Sequence, residues 1–385
     1  MKLLTRLKPS ISSPRRQQFI NLLIFYISYV WLRSFSTSVL PPHFLAQGLS
    51  FQQMIIGSII VFTSAMVLQL VKSKYSSRNS LYLAMITFFI FILFVIKLPT
   101  VWPYYLASIF RGFTLVFFYV IYNVGHFELT PKHRTGFSSA IMFSVTPLVS
   151  LFAPLAAGFL AEINYLYVWI ISGISFLLSL SLVKFQKKFT VKYNLKTGIK
   201  QLKPTRIFIF IEGAWETMIF GVIPIFSLYF IKSPFYYGTY IAYLSLMGIL
   251  ANLLLGKFTD KLQKRIVFLY PLTLIMAVAT FLFPLALSQL LWWVVITGII
   301  QFFVPLFWNL ATALIVDTHA DLRQVMPARE FILSSGRIFG FILLFLNFYL
   351  QEKPTYIFYI LGSIMLLFPI ILFYNTKISK KYNYL

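Results

Sequence analysis

The sequence contains no cysteine and very few acidic residues. The absence of cysteine excludes disulfides, thiolate metal sites and cysteine nucleophiles. Only nine residues are Asp or Glu, and charged residues make up 11% of the chain, whereas 59% are hydrophobic. The mean hydropathy is +0.83. This composition lies outside that of soluble globular domains and predicts a membrane protein.

Sequence patterns for nucleotide and metal chemistry are missing as well. The chain has no P-loop, no Rossmann glycine pattern and no cluster of His or acidic residues at metal-ligand spacing. We therefore expect no cofactor, no bound metal and no ATP-driven transport by this chain alone. The loops predicted outside the cytoplasm are short and carry no set of catalytic side chains, so we expect no catalytic residues and no enzyme.

Long apolar runs are the dominant feature of what is present. Each run of roughly 20 residues can cross a hydrocarbon core of about 30 Å as a helix. The runs are continuously apolar, which favours helices over the alternating strands of a barrel. They predict an all-α membrane protein with twelve spans, at about residues 17–40, 50–71, 79–97, 101–126, 137–161, 163–183, 207–231, 236–256, 266–286, 288–315, 327–350 and 355–376.

The net charge of +24 follows this topology rather than a nucleic-acid site. Basic residues crowd every second loop, whereas the intervening loops hold only Lys97, Lys232 and Lys353. This alternation predicts that both termini are cytoplasmic. We expect a multi-pass protein of the cytoplasmic (inner) membrane of a prokaryote, whose first span is retained, with the lipid bilayer as its environment and no nucleic-acid partner.

A basic segment divides the predicted spans six and six. Residues 184–206, "KFQKKFTVKYNLKTGIKQLKPTR", form the longest polar stretch and predict a cytoplasmic linker between bundles at 1–183 and 207–385. An offset of about 186 residues between the halves aligns Asn123 with Asn309. Both features suggest two six-helix bundles with a substrate path between them near the bilayer midplane.

The stretch "GKFTDKLQKR" after the eighth predicted span resembles the G-x-x-x-D-[RK]-x-G-[RK]-[RK] loop of the major facilitator superfamily of transporters. The matching residues are Gly256, Asp260, Lys261, Lys264 and Arg265. Gln263 stands for the second glycine, and the copy in the first half has Leu70 for the glycine and Lys74 for the aspartate. The resemblance implies a gating loop that closes the cytoplasmic side in one conformation.

Further stretches resemble the same family. Arg111 in "FRGFTLVFF" lies at the position of the arginine of the fourth helix, and "LTPKHRTGFSSA" resembles the loop that follows it. In the fifth helix, "APLAAG" (153–158) is similar to the core of the antiporter signature, with Ala153 and Ala157 in place of glycine. The resemblance implies a monomeric transporter whose two six-helix halves rock about a central small-molecule site.

Five ionisable residues lie well within the predicted spans. They are Arg33, Arg111, Glu212, Glu216 and Arg337. A charge at the bilayer centre costs about 2.5 to 3.5 kcal/mol, so these side chains should face a cavity or one another. At about 1.5 Å per residue, Glu216 lies about 15 Å from the cytoplasmic edge and Glu212 about 9 Å.

The acidic pair suggests proton coupling. Glu212 and Glu216 share one helix face, so mutual repulsion and desolvation favour a proton on one of them. Our hypothesis is that Glu216, seconded by Glu212, takes up and releases a proton under the influence of Arg111. The alternative is a structural set of ion pairs between helices. Arg33 is expected in the cavity or at its external mouth, and Arg337 either binds an anionic substrate or pairs with a glutamate.

Four other side chains are candidates for polar contacts with a substrate. They are Asn123, Asn309, Trp215 and Trp308, for which packing between helices is the alternative. The preferred prediction of function is proton-coupled export of a small molecule by antiport. One alternative is uptake or exchange of an organic anion served by the three buried arginines Arg33, Arg111 and Arg337, for which neutralisation of Arg33 and Arg337 is the deciding test. Another, of a different class, is a membrane-embedded enzyme or flippase that acts on a lipid-linked substrate.

Overall fold

The computed structural model describes residues 14–96, 100–129, 135–258, 266–318, 321–350 and 355–378. Nearly all of these residues are helical. The helices of the first half of the chain are α1 (Pro14–Thr37), α2 (Leu40–Ala46), α3 (Phe51–Val71), α4 (Ser77–Ile96), α5 (Val101–Leu129), α6 (Thr135–Ile163) and α7 (Tyr165–Leu182). A 3-10 turn (Val183–Phe185) extends α7.

The second half begins with a short helix and then repeats the pattern of long helices. The helices are α8 (Leu195–Gln201), α9 (Arg206–Trp215), α10 (Ile223–Phe226), α11 (Pro234–Phe258), α12 (Ile266–Ala286), α13 (Leu290–Thr318), α14 (Leu322–Leu350) and α15 (Tyr356–Phe373). A π-helical segment (Tyr374–Ile378) follows α15. We call α1–α7 the first half and α9–α15 the second half.

Eleven helical segments among the described residues are long and apolar enough to cross a membrane. They are Gln17–Ala46, Phe51–Val71, Ser77–Ile96, Val101–His126, Ser144–Ile163, Tyr165–Phe185, Arg206–Tyr229, Val267–Ala286, Leu290–Thr312, Leu322–Leu350 and Tyr356–Thr376. The predicted multi-pass helical membrane protein is thereby confirmed. The predicted eighth span corresponds to α11, which is not among the eleven, so twelve spans and the cytoplasmic position of both termini stay predictions.

Two short strands are a feature that the sequence did not predict. β1 (Lys74–Ser76) pairs antiparallel with β2 (Thr190–Lys192), so that Tyr75 lies opposite Val191. The strands connect the turn after α3 with the polar segment between the halves. We call the end of the bundle that carries β1, β2 and α8 the linker end, and the opposite end the far end.

Local sequence explains where several helices begin. At the far end, Gly48 adopts a φ of 82°, a left-handed conformation that favours glycine, and so turns the chain between α2 and α3. Ser50 then caps α3: its side chain accepts a hydrogen bond from Gln53 N, and the Gln53 side chain accepts one from Ser50 N. Asn164 caps α7 by accepting from Leu166 N at 2.8 Å.

The seventh span is a broken helix. α9 ends at Trp215, a π-helical turn covers Met218–Val222, and α10 continues from Ile223. Pro224 has no N–H to donate to the carbonyl one turn earlier, which weakens regular α-helix at this place. Glu216 lies at the start of the break, directly after α9.

Two pairs of long helices join the halves: α6 packs along α11, and α3 packs along α14. The first contact is close because both helices present glycine. A Cβ atom on Gly158 would lie 2.7 Å from the carbonyl oxygen of Pro234 and 3.2 Å from the Cα atom of Gly238. Only glycine fits there without a shift of the backbone.

Candidate functional site

A cavity of about 490 Å³ lies between the two halves. Its wall includes α1, α3 and α5 of the first half and α9, α13 and α14 of the second. The charged residues that line it are Arg33, Arg111, Glu212, Glu216, Arg329, Glu330 and Arg337. This cavity is therefore lined by all five of the charged residues predicted within spans. Arg329 and Glu330 line it as well.

The pair Glu216–Arg337 lies in the broken part of the seventh span. Arg337 Nε donates to Glu216 Oε2 at 2.6 Å, and the side chain of Glu216 is only 3% exposed. The guanidinium carbon of Arg337 also lies 5.2 Å from the centre of the Phe62 ring on α3 and 5.3 Å from that of Phe220. Arg337 thus joins an acid of its own half to an aromatic ring of the other half.

Glu212 belongs to a chain of polar contacts nearer the linker end. Arg329 Nη2 donates to Glu212 Oε1 at 2.8 Å, and Arg329 Nη1 donates to Glu330 Oε1 at 3.3 Å. The same oxygen of Glu330 accepts from Asn123 Nδ2 on α5 at 3.4 Å. Because Asn123 belongs to the first half, this chain also crosses between the halves.

Glycines hold α9 against α14 and so bring the acids to the arginines. A Cβ atom on Gly213 would meet the carbonyl oxygen of Leu333, and one on Gly336 would meet the carbonyl oxygen of Phe210. A Cβ atom on Gly340 would meet the carbonyl oxygen of Ala214 and the side chain of Thr217. This packing places Glu212 on α9, and Glu216 one turn later at the end of that helix, beside the arginine-bearing face of α14.

The two arginines of the first half have different surroundings. Arg33 Nη1 donates to the hydroxyl oxygen of Tyr119 at 2.5 Å. Arg111 is exposed to the cavity, with its guanidinium carbon 5.7 Å from the centre of the Phe91 ring. Among the described residues, no carboxylate forms an ion pair with Arg33 or Arg111. Glu216 therefore pairs with Arg337, whereas the sequence hypothesis assigned its control to Arg111.

Several polar atoms on the cavity wall are buried without a hydrogen-bond partner among the described residues. They are Tyr29 Oη, Ser38 Oγ, Gln69 Oε1, Asn123 Oδ1, Trp308 Nε1 and Arg329 Nε. Buried polar atoms are usually paired, so these donors and acceptors are available to a substrate or to water in the cavity.

The structure separates the four candidates for polar contact with a substrate. Asn123 and Trp308 line the cavity. Trp215 is fully buried and points into the second half, where its Nε1 donates to Thr280 Oγ1 at 3.1 Å. Asn309 is buried in α13 and is not among the residues that line the cavity.

Sequence reasoning missed Arg329, Glu330 and Tyr119. It treated Arg329 as a charge near a loop, but α14 begins at Leu322, and Arg329 is therefore two turns inside the helix and 7% exposed. The signal that was available is the adjacent pair Arg329–Glu330, two opposite charges just after Pro327 at the predicted start of a span. Tyr119 gave no signal in a chain with 19% aromatic residues.

The gating loop inferred from "GKFTDKLQKR" is mostly outside the described residues. Gly256 lies in the last turn of α11, whereas Asp260, Lys261, Lys264 and Arg265 lie outside them. A different contact crosses between the halves at the linker end. Arg323 at the start of α14 forms two hydrogen bonds with Glu128 at the end of α5, Nε to Oε1 at 2.5 Å and Nη2 to Oε2 at 3.0 Å.

The described residues contain no group of three or more His, Asp or Glu side chains that could hold a metal ion. The acids at the cavity are instead engaged by arginines. What the arrangement offers chemically is reversible protonation of a carboxylate in competition with a guanidinium, together with free donors on the opposite wall.

Comparisons with known proteins agree with this architecture. The family model of the Major Facilitator Superfamily matches residues 22–341. A POT family transporter solved with a thioalcohol-conjugated peptide is 13% identical with a TM-score of 0.69, covering 96% of this chain and 98% of that one. A POT family transporter solved with 5-aminolevulinic acid is 13% identical with a TM-score of 0.68, at 97% and 98% coverage.

A third solved structure is that of a bacterial homologue of the iron transporter ferroportin in an inward-facing state. It is 13% identical with a TM-score of 0.67, covering 94% of this chain and 98% of that one. No curated protein matches the chain in sequence. At this level of identity, the solved structures establish the shared fold and nothing finer.

Proposed function

The chain belongs to the major facilitator superfamily, and from this premise we propose that it is a secondary transporter that couples movement of a small molecule to movement of a proton. Family membership identifies a membrane transporter and not an enzyme. The coupling is carried by one observation: two buried glutamates, each paired with an arginine of α14, line a cavity between the halves.

Glu216 is the proposed proton carrier. A proton on its carboxyl group would remove the charge that holds Arg337, and the freed guanidinium would change its contact with Phe62 on the other half. The break in the seventh span supports this role, since π-helical turns are frequent at functional sites. Protonation of Glu216 would thus alter the contact of Arg337 with Phe62 at the α3–α14 interface. Coupling requires such a link between a proton and the position of the two halves.

Glu212 is proposed as the second member of the pair. Its partner Arg329 also contacts Glu330, and Glu330 reaches Asn123 on the first half. A proton on Glu212 would release Arg329 toward Glu330. The contact between Glu330 and Asn123, which joins the two halves, would then change. The two acids therefore act on neighbouring contacts between the same two halves.

The proposal also includes the organisation inferred from the sequence. A first bundle of residues 1–183 and a second of residues 207–385, joined by a cytoplasmic linker at 184–206, would rock about the cavity as a monomer in the inner membrane. Proton-coupled export by antiport is supported by the "APLAAG" segment of α6. Uptake or exchange of an anion is supported by the arginines of the first half.

Purified protein in proteoliposomes tests the coupling. An imposed pH gradient is combined with a panel of small solutes, and proton flux is followed by a pH-sensitive dye inside the vesicles. We expect Glu216→Gln to abolish flux driven by the gradient, while an amide oxygen still accepts the hydrogen bond from Arg337. Glu162→Gln is the matched control, because it makes the same change at an exposed acid of the far end, and its amide oxygen can still accept the hydrogen bonds from Ser233 and Phe235. Full coupling in Glu216→Gln would refute the proposal.

A further inference from the structure

We infer that the substrate is an organic anion whose oxyanion group binds between Arg33 and Arg111, on the first-half wall of the cavity. The inference rests on the proposed transport function and names the substrate class that the same cavity would take. It starts from an asymmetry in charge between the two walls.

With all groups ionised, the second-half wall carries three carboxylates and two arginines, and so one negative charge in excess. Arg329 contacts both Glu212 and Glu330, and Arg337 contacts Glu216. The first-half wall carries only positive charge, because Arg33 and Arg111 have no carboxylate partner among the described residues. The two positive charges of the first-half wall exceed the one negative charge of the second-half wall, so the cavity as a whole holds one positive charge in excess.

Arg33 on α1 and Arg111 on α5 lie on the same wall of one cavity. The hydrogen bond from Arg33 to Tyr119 holds Arg33 against α5, about two turns along that helix from Arg111. Keeping two cations together in a membrane interior is costly without an anion to compensate them. A bound oxyanion supplies that compensation and also accepts hydrogen bonds from guanidinium groups in a two-pronged geometry.

A third donor converges on the same place. Tyr29 lies one turn before Arg33 on α1, its side chain is 1% exposed, and its hydroxyl group has no hydrogen-bond partner among the described residues. The Tyr29 ring is fixed by stacking on Phe118, with centroids 3.7 Å apart. Two guanidinium groups and a hydroxyl donor without a partner among the described residues therefore line the same wall, a set that favours a ligand rich in acceptor oxygens.

Aromatic side chains of the cavity indicate what the rest of the ligand is like. Phe220 and Trp308 of the second half are stacked with centroids 6.3 Å apart, and both line the cavity with Phe62 of the first half. These rings provide an apolar surface for the body of the molecule. A cavity of about 490 Å³ then suits a small amphipathic anion rather than a peptide or a lipid.

The negative charge of this ligand also bears on whether the proton and the ligand move in the same direction or in opposite directions. A proton on Glu216 or Glu212 makes the cavity more positive and so strengthens the binding of an anion, whereas it would weaken the binding of a cation. Proton and anion therefore bind together, which favours symport over antiport. This outcome supports uptake of an anion and opposes the export that the sequence favoured.

Binding is tested without any gradient, by thermal unfolding of the purified protein with matched aromatic probes. The probes are benzoate, benzenesulfonate and phenyl phosphate as anions, benzamide as the neutral analogue and benzylamine as the cation. We expect at least one anion to raise the melting temperature and benzamide and benzylamine to leave it unchanged. Stabilisation by benzamide or benzylamine alone, or by none of the five, would overturn the inference.

Variants identify the site. Arg111→Gln should weaken binding of the stabilising anion about 10- to 100-fold, the effect of losing a charged hydrogen-bond partner. Without anion, Arg111→Gln should melt at or above the wild-type temperature, because it removes a charge that has no carboxylate partner among the described residues. Lys188→Gln removes the same charge at the linker end and is the control. Equal loss of affinity in both variants would point to general electrostatics and contradict the site.

Flux measurements separate this inference from the coupling proposal. Exchange of the labelled anion across the vesicle membrane needs the binding site but no net proton movement. Arg111→Gln should abolish exchange, whereas Glu216→Gln should retain exchange and lose accumulation driven by a pH gradient. If both variants still exchange the anion, the anion site is overturned and the coupling proposal is not. If Glu216→Gln still accumulates the anion under a pH gradient, the coupling proposal is overturned and the anion site is not.

Discussion

Arg337 Nε donates a hydrogen bond of 2.6 Å to Glu216 Oε2 at the place where the seventh span departs from α-helix. The arginine is also the side chain of this pair that contacts Phe62 across the cavity. The ionisation of one carboxyl group is thereby tied to a contact between the halves. A structural ion pair confined to one half would have no such consequence.

Removal of the arginine should destabilise the protein more than removal of both partners. Arg337→Met leaves the Glu216 carboxylate buried without a partner, and breaking a buried pair in this way costs about 3 to 5 kcal/mol. The double variant Glu216→Gln/Arg337→Met leaves no charge behind and should recover most of the melting temperature. Thermal unfolding of the purified protein in detergent measures both.

The same variant should respond to pH. Protonation neutralises the uncompensated carboxyl group, so Arg337→Met should regain stability as pH falls from about 8 to about 5, a change the double variant lacks. A melting temperature for Arg337→Met equal to that of wild type at every pH would contradict the buried pair.

The fold was largely accessible from the sequence because its strongest signal is the length of apolar runs. The seventh span was placed at about 207–231, and the structure has it at Arg206–Tyr229. The span predicted at 327–350 is too short, since Arg323 resembles a basic residue of a loop although α14 begins at Leu322. The strands β1 and β2 were missed because three-residue pairings across distant segments leave no periodic pattern.

The site was only partly accessible. A charge inside an apolar run is visible in the sequence, and Glu212, Glu216 and Arg337 were found in that way. Which arginine meets which acid depends on how α9 and α14 pack, and that packing is set by glycines whose role appears only in three dimensions. The hypothesis that Arg111 influences Glu216 uses only the position of both residues within predicted spans, which does not say what lies between two helices.

Two tryptophans offer a matched test of position. Trp215→Phe removes a buried hydrogen bond to Thr280 away from the cavity and should lower stability by about 1 to 3 kcal/mol. Its effect on substrate affinity should be small. Trp308→Phe removes an unpartnered Nε1 that lines the cavity, so it should leave the melting temperature nearly unchanged.

The affinity of Trp308→Phe should fall instead. A hydrogen bond to a substrate contributes about 0.5 to 1.5 kcal/mol, so KM should rise roughly 2- to 12-fold. Melting temperature and KM are measured for both variants on the same preparations. The reverse pattern, with affinity lost in Trp215→Phe and stability lost in Trp308→Phe, would exclude the assigned positions.

Close packing between α9 and α14 predicts a large effect from a single methyl group. The Cβ atom of Gly336→Ala would collide with the backbone of α9 at Phe210 and Ala214, and overpacking of this kind costs about 1 to 3 kcal/mol. We expect a lower melting temperature and weaker proton-coupled flux, because Glu212 and Glu216 move away from the arginines of α14.

The control for this variant is Gly173→Ala on α7. No atom lies within 4 Å of the added Cβ atom there. Alanine is a better helix former than glycine by up to about 1 kcal/mol, so the melting temperature should be unchanged or raised. Equal effects of the two substitutions would show that helix propensity, and not helix contact, governs Gly336.

The pair Glu128–Arg323 should restrain opening of the linker end. It joins α5 to α14, and both side chains are partly exposed, with 34% and 47% of their surface accessible. Exposed ion pairs contribute about 0.2 to 1 kcal/mol, so its removal should shift the population of the open state by at most roughly fivefold. Glu128→Gln is the variant that tests this.

Labelling of a single cysteine measures the shift, since the native sequence has none to interfere. Met326→Cys places a thiol on the cavity wall within the first turns of α14. A charged maleimide added in water should modify this thiol several-fold faster when Glu128→Gln is also present. Lys188→Gln, a charge change at the same end that does not join the halves, should leave the rate unaltered. A rate unaffected by Glu128→Gln would contradict a restraining role for the Glu128–Arg323 pair.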